Sequence, residues 1–277
     1  MTASGAEKGS NFFLGFLFLP RAKREALSAV YAYCRLIDDI VDSGLPEDEA
    51  RRRLDFWRAE VERLYAGTAE HPIARALERP IADYGLPKAE LLEMIRGCAL
   101  DLEGARYETI ADLEGYMRGV ASSVGLLCVR VFGWSRTPEE RMREFAITFG
   151  YAFQLTNIVR DVGADLAIGR VYLPLADLRA EGVSVEELES GRRPVGLDAV
   201  LETQYRRAKG YYAKARALVD PADRKSLLPA EVMAHVYEGL LDEIKERGYP
   251  VLTGKTRLSR GRKLALALRA WRYCHGL

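Results

Sequence analysis

Gln154, Asn157, Asp161 and Asp165 stand at spacings of three, four and four within YAFQLTNIVRDVGADLAIGRVYLP. At about 100° of turn per residue they fall in an arc about 80° wide on one side of a helix. An upstream stretch, YAYCRLIDDIVD, repeats the arrangement. Tyr31, Arg35, Asp38 and Asp42 follow spacings of four, three and four and share a face about 60° wide. Two carboxylates ~6 Å apart repel by roughly 3 kcal/mol at an effective dielectric near 20, so a partly buried cluster calls for a cation or open water. On a merely solvated face, lysine or arginine would be expected four residues beyond each acid. Here Asp42 follows Asp38, and Asp165 follows Asp161. Aspartates and an amide oxygen are hard ligands suited to Mg2+, which keeps several waters and is shared with substrate phosphates.

Arg35, Arg160 and Arg170 flank these acids. They can contact the same anion, or Arg35 can serve only as an ion-pair partner for Asp38. Phe12, Phe13, Phe16, Tyr116, Phe153, Tyr172 and Tyr237 each read more often as core residues than as cavity walls. Two metal-ready acidic faces inside an apolar helical bundle describe a pocket with a polar mouth and a greasy interior. A prenyl diphosphate has that shape and polarity.

The elements that must hold these faces are legible in the punctuation. After Pro20, an apolar stripe of Ala26, Leu27, Val30, Tyr33, Cys34, Ile37 and Val41 runs beside the first acidic face. Gly44-Leu45-Pro46 stops that helix, and a charged helix follows through Trp57 to Tyr65. Further helices are expected at 72–84, 87–104, 112–132, 138–165, 198–219 and 229–247, with a short last one from about Lys263 to Tyr273. Pro72, Pro87 and Pro138 suit first helical turns, where a missing N–H costs nothing. No alternating apolar pattern is long enough for a sheet, so the expected fold class is all-α, with residues 1–277 forming one domain.

Composition sets outer limits. The 277 residues are 48% hydrophobic and 29% charged, a soluble balance. With 41 basic and 40 acidic residues the net charge is +1, giving no reason to expect nucleic acid as a partner. Cysteines 34, 98, 128 and 274 form no close pair and read as reduced core thiols, which suits a cytoplasmic setting. Histidines 71, 235 and 275 are scattered, without metal-ligand or triad spacing. The first residues lack a signal-peptide pattern, and the apolar run Phe12 to Leu19 is far short of the ~20 residues that span a bilayer. Membrane contact is therefore expected to be peripheral at most. The basic stretch Lys255, Arg257, Arg260, Arg262 and Lys263 is a candidate for it, or else a solvated tail or a lid over the site.

Together, YAYCRLIDDIVD, YAFQLTNIVRDVGADLAIGRVYLP, NFFLGFLFLP, YMRGVASSVG and VYEGLLDEI resemble the squalene/phytoene synthase family of head-to-head prenyltransferases over almost the entire chain. The resemblance implies an isoprenoid-synthase helical bundle with a central cavity, and two farnesyl or geranylgeranyl diphosphates as substrates. It implies Mg2+ held by Asp38, Asp42, Asn157, Asp161 and Asp165. Tyr31, Arg35, Gln154, Arg160, Arg170, Tyr172 and Tyr237 match diphosphate or prenyl contacts, with Phe12 and Phe16 beside them. Tyr116 matches the tyrosine of the middle motif; Tyr116, Arg35 and Tyr172 are the catalytic candidates, and the proton acceptor is either a tyrosine such as Tyr116 or the released diphosphate. The His-Ser-Lys arrangement of some relatives is absent, since Lys8, Gly9 and Ser10 precede Asn11. FLFLP and VASSVGLLCVRVFG are most similar to bacterial presqualene diphosphate synthases of the hopanoid route, which implies farnesyl diphosphate, no use of NADPH and a product passed to squalene-forming enzymes. Phytoene synthesis, full squalene synthesis and a non-catalytic helical subunit or isoprenoid carrier are the alternatives.

Overall fold

A computed structural model describes residues 19–277. Phe12, Phe13, Phe16 and the Lys8–Asn11 departure lie outside the described residues. Among those described no strand forms. The chain runs α1 (Arg21–Asp42), α2 (Glu47–Tyr65), α3 (Pro72–Tyr84), α4 (Lys88–Leu102), α5 (Ile110–Met117), a π-turn (Arg118–Ser122) and α6 (Ser123–Phe132). It continues through α7 (Glu139–Leu166), α8 (Leu175–Ala180), α9 (Val185–Glu189), α10 (Leu197–Leu218), α11 (Leu228–Glu246) and α12 (Arg260–His275).

The seven stripe residues of α1 are all buried, which leaves Tyr31, Arg35, Asp38 and Asp42 on the adjacent, wetter side. Tyr33, fully buried, donates to the Leu91 carbonyl at 2.8 Å and so pins α1 against α4. Helix α7 threads two apolar cores. Phe145, Ala146, Phe149 and Ala152 enter one, and Leu155, Ile158, Val159 and Val162 the other. Because the second half of α7 buries these positions against α10, Gln154, Asn157, Asp161 and Asp165 turn the other way.

Three local expectations are corrected. Only Pro72 opens a helix from inside its first turn, with His71 Nδ1 accepting from the Ile73 N–H. Pro87 and Pro138 sit one residue earlier with extended ψ of 129° and 144°, where they cap without being helical. The 112–132 helix is interrupted by the π-turn, because its backbone is pressed onto a neighbour. A Cβ on Gly97 would stand 2.8 Å from the Gly119 backbone, and one on Gly150 would stand 2.5 Å from Ser122. Finally, the stretch between the helices expected at 138–165 and 198–219 contains α8 and α9, too short for periodicity to reveal, although Ser184 and Glu187 form a capping box.

The Gly97–Gly119 contact is backbone against backbone, so nothing can swing aside. Gly97→Ala is therefore expected to destabilise the fold by about 2–4 kcal/mol, read from urea or thermal unfolding. A loss below ~1 kcal/mol would mean that α4 and the π-turn can separate freely.

Candidate active site

The two acidic faces open onto one cavity of about 390 Å³. From α1 it receives Tyr31, Arg35, Asp38 and Asp42; from α7, Gln154, Asn157, Arg160, Asp161 and Asp165. Tyr116, Arg170, Tyr172 and Tyr237 complete the sequence-derived set, so every described member reaches the same space. Behind it lies a second, apolar pocket of about 200 Å³ walled by Phe132, Phe145, Phe149 and Met233. Val120, Val124, Gln154, Asn157 and Tyr237 line both. The polar cavity thus has an apolar annex, with Asn157 at the junction.

The protein supplies part of the missing positive charge itself. Arg170 donates to Asp42 at 2.7 Å and to the Val41 carbonyl at 3.1 Å, tying the end of the second motif to the end of α1. Arg160 donates to Asp161 at 2.9 Å, and Lys255 Nζ comes within 3.2 Å of the same carboxylate. The basic stretch after α11 therefore reaches the rim of the site at Lys255. Arg35 pairs more closely with Asp39, at 2.6 Å, than with Asp38, at 3.4 Å.

Two acids remain undercompensated. Burial, reinforced by the charge of Asp42, pushes the Asp38 carboxyl up to about 6. Burial, reinforced by Asp161, pushes Asp165 up to about 7. Asp161 goes the other way: burial raises it, but the hydrogen bond and charge of Arg160, with Lys255, outweigh that and hold it below the ordinary carboxylate range. The Asn157 Oδ1 is buried without a hydrogen-bond partner, while its amide nitrogen is 3.4 Å from Gln154 Oε1. A bare carbonyl oxygen and two reluctant carboxylates lining one cavity are donors of the kind that suits a hard divalent cation. Among the described residues no three acidic, histidine or cysteine side chains converge on one metal position by themselves.

Sequence reasoning missed Asp101, at the end of α4. Its carboxylate accepts from the Tyr172 hydroxyl at 2.6 Å and the Tyr116 hydroxyl at 3.1 Å. The two phenols are 3.3 Å apart and their rings stack at 5.1 Å, with Tyr107 against both. Burial raises Asp101, which the Tyr172 hydrogen bond partly offsets. Burial, together with Asp101's charge, raises both tyrosines far above ordinary phenols, so both stay protonated and act as donors. Nothing local in GCALDLEGARY marks this aspartate; only the meeting of α4, α5 and the segment after α7 does.

Residues 6–262 match the family model described as squalene/phytoene synthase. The chain belongs to the squalene/phytoene synthase family. It is 36% identical over 252 residues to a presqualene diphosphate synthase of Zymomonas mobilis, covering 90% of this chain and 84% of that one. It is 32% identical over 275 residues to a 15-cis-phytoene synthase of Synechocystis, covering 96% and 82%. A crystal structure of a dehydrosqualene synthase in complex with a ligand superposes with a TM-score of 0.86 at 28% identity, covering 98% of this chain and 94% of that one. Members of this family are head-to-head prenyltransferases acting on diphosphate substrates, generally with a divalent metal. The all-α class expected from the helical punctuation, and the isoprenoid-synthase fold that the family resemblance implies, are the fold observed.

Proposed function

We propose that this squalene/phytoene synthase family member condenses two farnesyl diphosphates into presqualene diphosphate with release of diphosphate. The observation that carries the reading is the junction at Asn157. There an orphaned oxygen and undercompensated carboxylates face a diphosphate-sized polar cavity that continues into an aromatic-walled apolar pocket. The identity to the Zymomonas relative supports the farnesyl reading. A phytoene synthase reading, with geranylgeranyl diphosphate, is supported by the Synechocystis relative.

Asp38 and Asp42 on one side, and Asn157, Asp161 and Asp165 on the other, are the residues that would hold Mg2+. When bound, it would offset the charge of the donor diphosphate as its C1–O bond breaks. Arg160, Arg170, Arg35 and Lys255 add fixed positive charge around the departing diphosphate. The allylic cation left at C1 is attacked by the double bond of the second substrate, and loss of a proton closes the cyclopropane. Phe132, Phe145, Phe149 and Tyr237 keep water out and offer ring faces to the cation. The tyrosines Tyr116 and Tyr172 donate to Asp101, so of the three only the carboxylate is built to accept a proton, with the phenols as its relay. On this reading Asp101 takes the role that the sequence left between a tyrosine such as Tyr116 and the released diphosphate.

Asp101→Asn preserves the volume but removes the acceptor. It is expected to lower kcat about a hundredfold while moving KM less than about threefold. A KM rise with unchanged kcat would instead make Asp101 a binding residue. The reaction itself is tested by incubating the protein with farnesyl diphosphate and Mg2+, without and with NADPH, and identifying extracted lipids by mass spectrometry. Presqualene diphosphate in both tubes is the expected result. Squalene confined to the NADPH tube, or phytoene formed only from geranylgeranyl diphosphate, would move the protein to the corresponding family branch. Silence with both substrates would point to a carrier or partner subunit.

A further inference from the structure

Helix α12 departs from the rest of the surface in two ways. Leu264, Leu268 and Trp271 are 73, 58 and 36% exposed, and at spacings of four and three they fall within about 60° of arc. The opposite side of the helix, with Leu266, Ala267, Ala270 and Cys274, is buried against α11. The outward stripe is thus additional apolar surface that no described residue covers. Trp271 is held in place by His275, whose ring stacks on it at 4.3 Å.

The second departure is charge. On other helices, surface arginines repeatedly sit beside acids one turn away, as in Arg51–Glu47, Arg53–Glu49 and Arg247–Glu243. Helix α12 contains no acid and carries Arg260, Arg262, Lys263, Arg269 and Arg272; among the described residues none of the five pairs with a carboxylate. Arg272 borders one edge of the stripe, with Arg269 beyond it, and Arg260 borders the other. A groove of about 660 Å³ lined by Leu268, Arg269, Arg272 and Tyr273 opens alongside.

We propose that the outer face of α12 seats the protein on an anionic lipid surface, with Leu264, Leu268 and Trp271 entering the acyl boundary and the flanking cations meeting headgroup phosphates. An apolar stripe rimmed by unpaired cations is the pattern of a helix lying in the plane of the interface. A twofold dimer through this face would bring the cations flanking the stripe of one copy onto those of the other, which opposes association. A nucleic acid would gain nothing from the central leucines. Lys263 also lines a cavity with Arg160 and Lys255, so the first turn of α12 adjoins the rim of the active site. A chain seated this way holds that rim near the surface where amphiphilic prenyl diphosphates collect.

The test is co-sedimentation of the full chain with vesicles of phosphatidylcholine alone and of phosphatidylcholine mixed with phosphatidylglycerol, at low and high salt. Binding is expected only to the anionic vesicles, weakening with salt, together with a blue shift of tryptophan fluorescence that is absent in Trp271→Phe. The double variant Leu264→Ser/Leu268→Ser is expected to lose at least roughly tenfold in vesicle affinity, and Arg269→Gln/Arg272→Gln a similar factor. Both should retain the circular dichroism of the parent, since the changed side chains face solvent. Equal binding to both vesicle types, or variants that bind like the parent, would overturn the proposal. So would a concentration-dependent dimer in sedimentation velocity that the leucine variant dissolves.

Discussion

Asp161→Asn is expected to lower kcat/KM for prenyl diphosphate condensation about a thousandfold while leaving the protein folded. Asp161 is the point where metal-ready oxygen and fixed positive charge meet: Arg160 at 2.9 Å and Lys255 at 3.2 Å both address its carboxylate. The amide retains the shape but loses the charge. A cation bound there exchanges an anionic ligand for a neutral amide oxygen, and the two basic side chains lose the anion that orients them. Removing one partner of a partly buried pair costs more than the pair contributes, because the remaining charge is left facing its neighbours. The Mg2+ concentration needed for half-maximal rate should rise in parallel. Turnover above about a tenth of the parent would remove Asp161 from the metal-holding set, and unchanged prenyl diphosphate binding with no activity in either protein would favour a carrier.

Asp165→Asn is expected to do two opposite things: abolish most activity and stabilise the metal-free protein. Burial and the neighbouring Asp161 lift the Asp165 carboxyl from 3.8 to about 7. A group that holds its proton more tightly when folded contributes no penalty below about pH 4. It destabilises the fold progressively as pH rises, fully so above about pH 7. At ~1.4 kcal/mol per unit the whole shift corresponds to ~4 kcal/mol, and water entering the half-buried site reduces the expected gain on neutralisation to about 2 kcal/mol. In thermal unfolding without divalent metal, the variant should therefore match the parent near pH 4 and melt roughly 4–8 °C higher at pH 8. Adding Mg2+ with diphosphate should stabilise the parent and close the gap, since only the parent presents the carboxylate. A variant that is less stable than the parent at pH 8 would mean that Asp165 is satisfied by the protein itself and is not held for a cation.

The two acidic faces were legible because each lies on one helix, where residue spacing alone fixes direction. Asp38 with Asp42, and Asn157 with Asp161 and Asp165, needed only the helical repeat. The stripe from Ala26 to Val41 identified the buried side of α1 by the same rule. Residues acting through partners on other elements were not legible. Asp101 looks like any surface acid in GCALDLEGARY, and its role depends on Tyr116 and Tyr172 arriving from two other segments. The division of the acids into compensated and undercompensated ones was equally hidden, because Arg170 reaches Asp42 across 128 positions and Lys255 reaches Asp161 from beyond α11.

By itself, then, the sequence determined the all-helical class, the faces that carry oxygen ligands and, through its motifs, the family. These depend on periodicity and residue type within single helices. Tertiary structure alone decided which residues wall the pocket expected between the two faces, that its apolar part opens behind Asn157, and that Asp101 receives two phenols. It also decided that the π-turn forms where Gly97 and Gly119 bring two backbones together, and that the leucine stripe of α12 is left outward. Each of these is a relation between elements far apart in the chain, set by which surfaces pack and which are left over, and no local pattern encodes it.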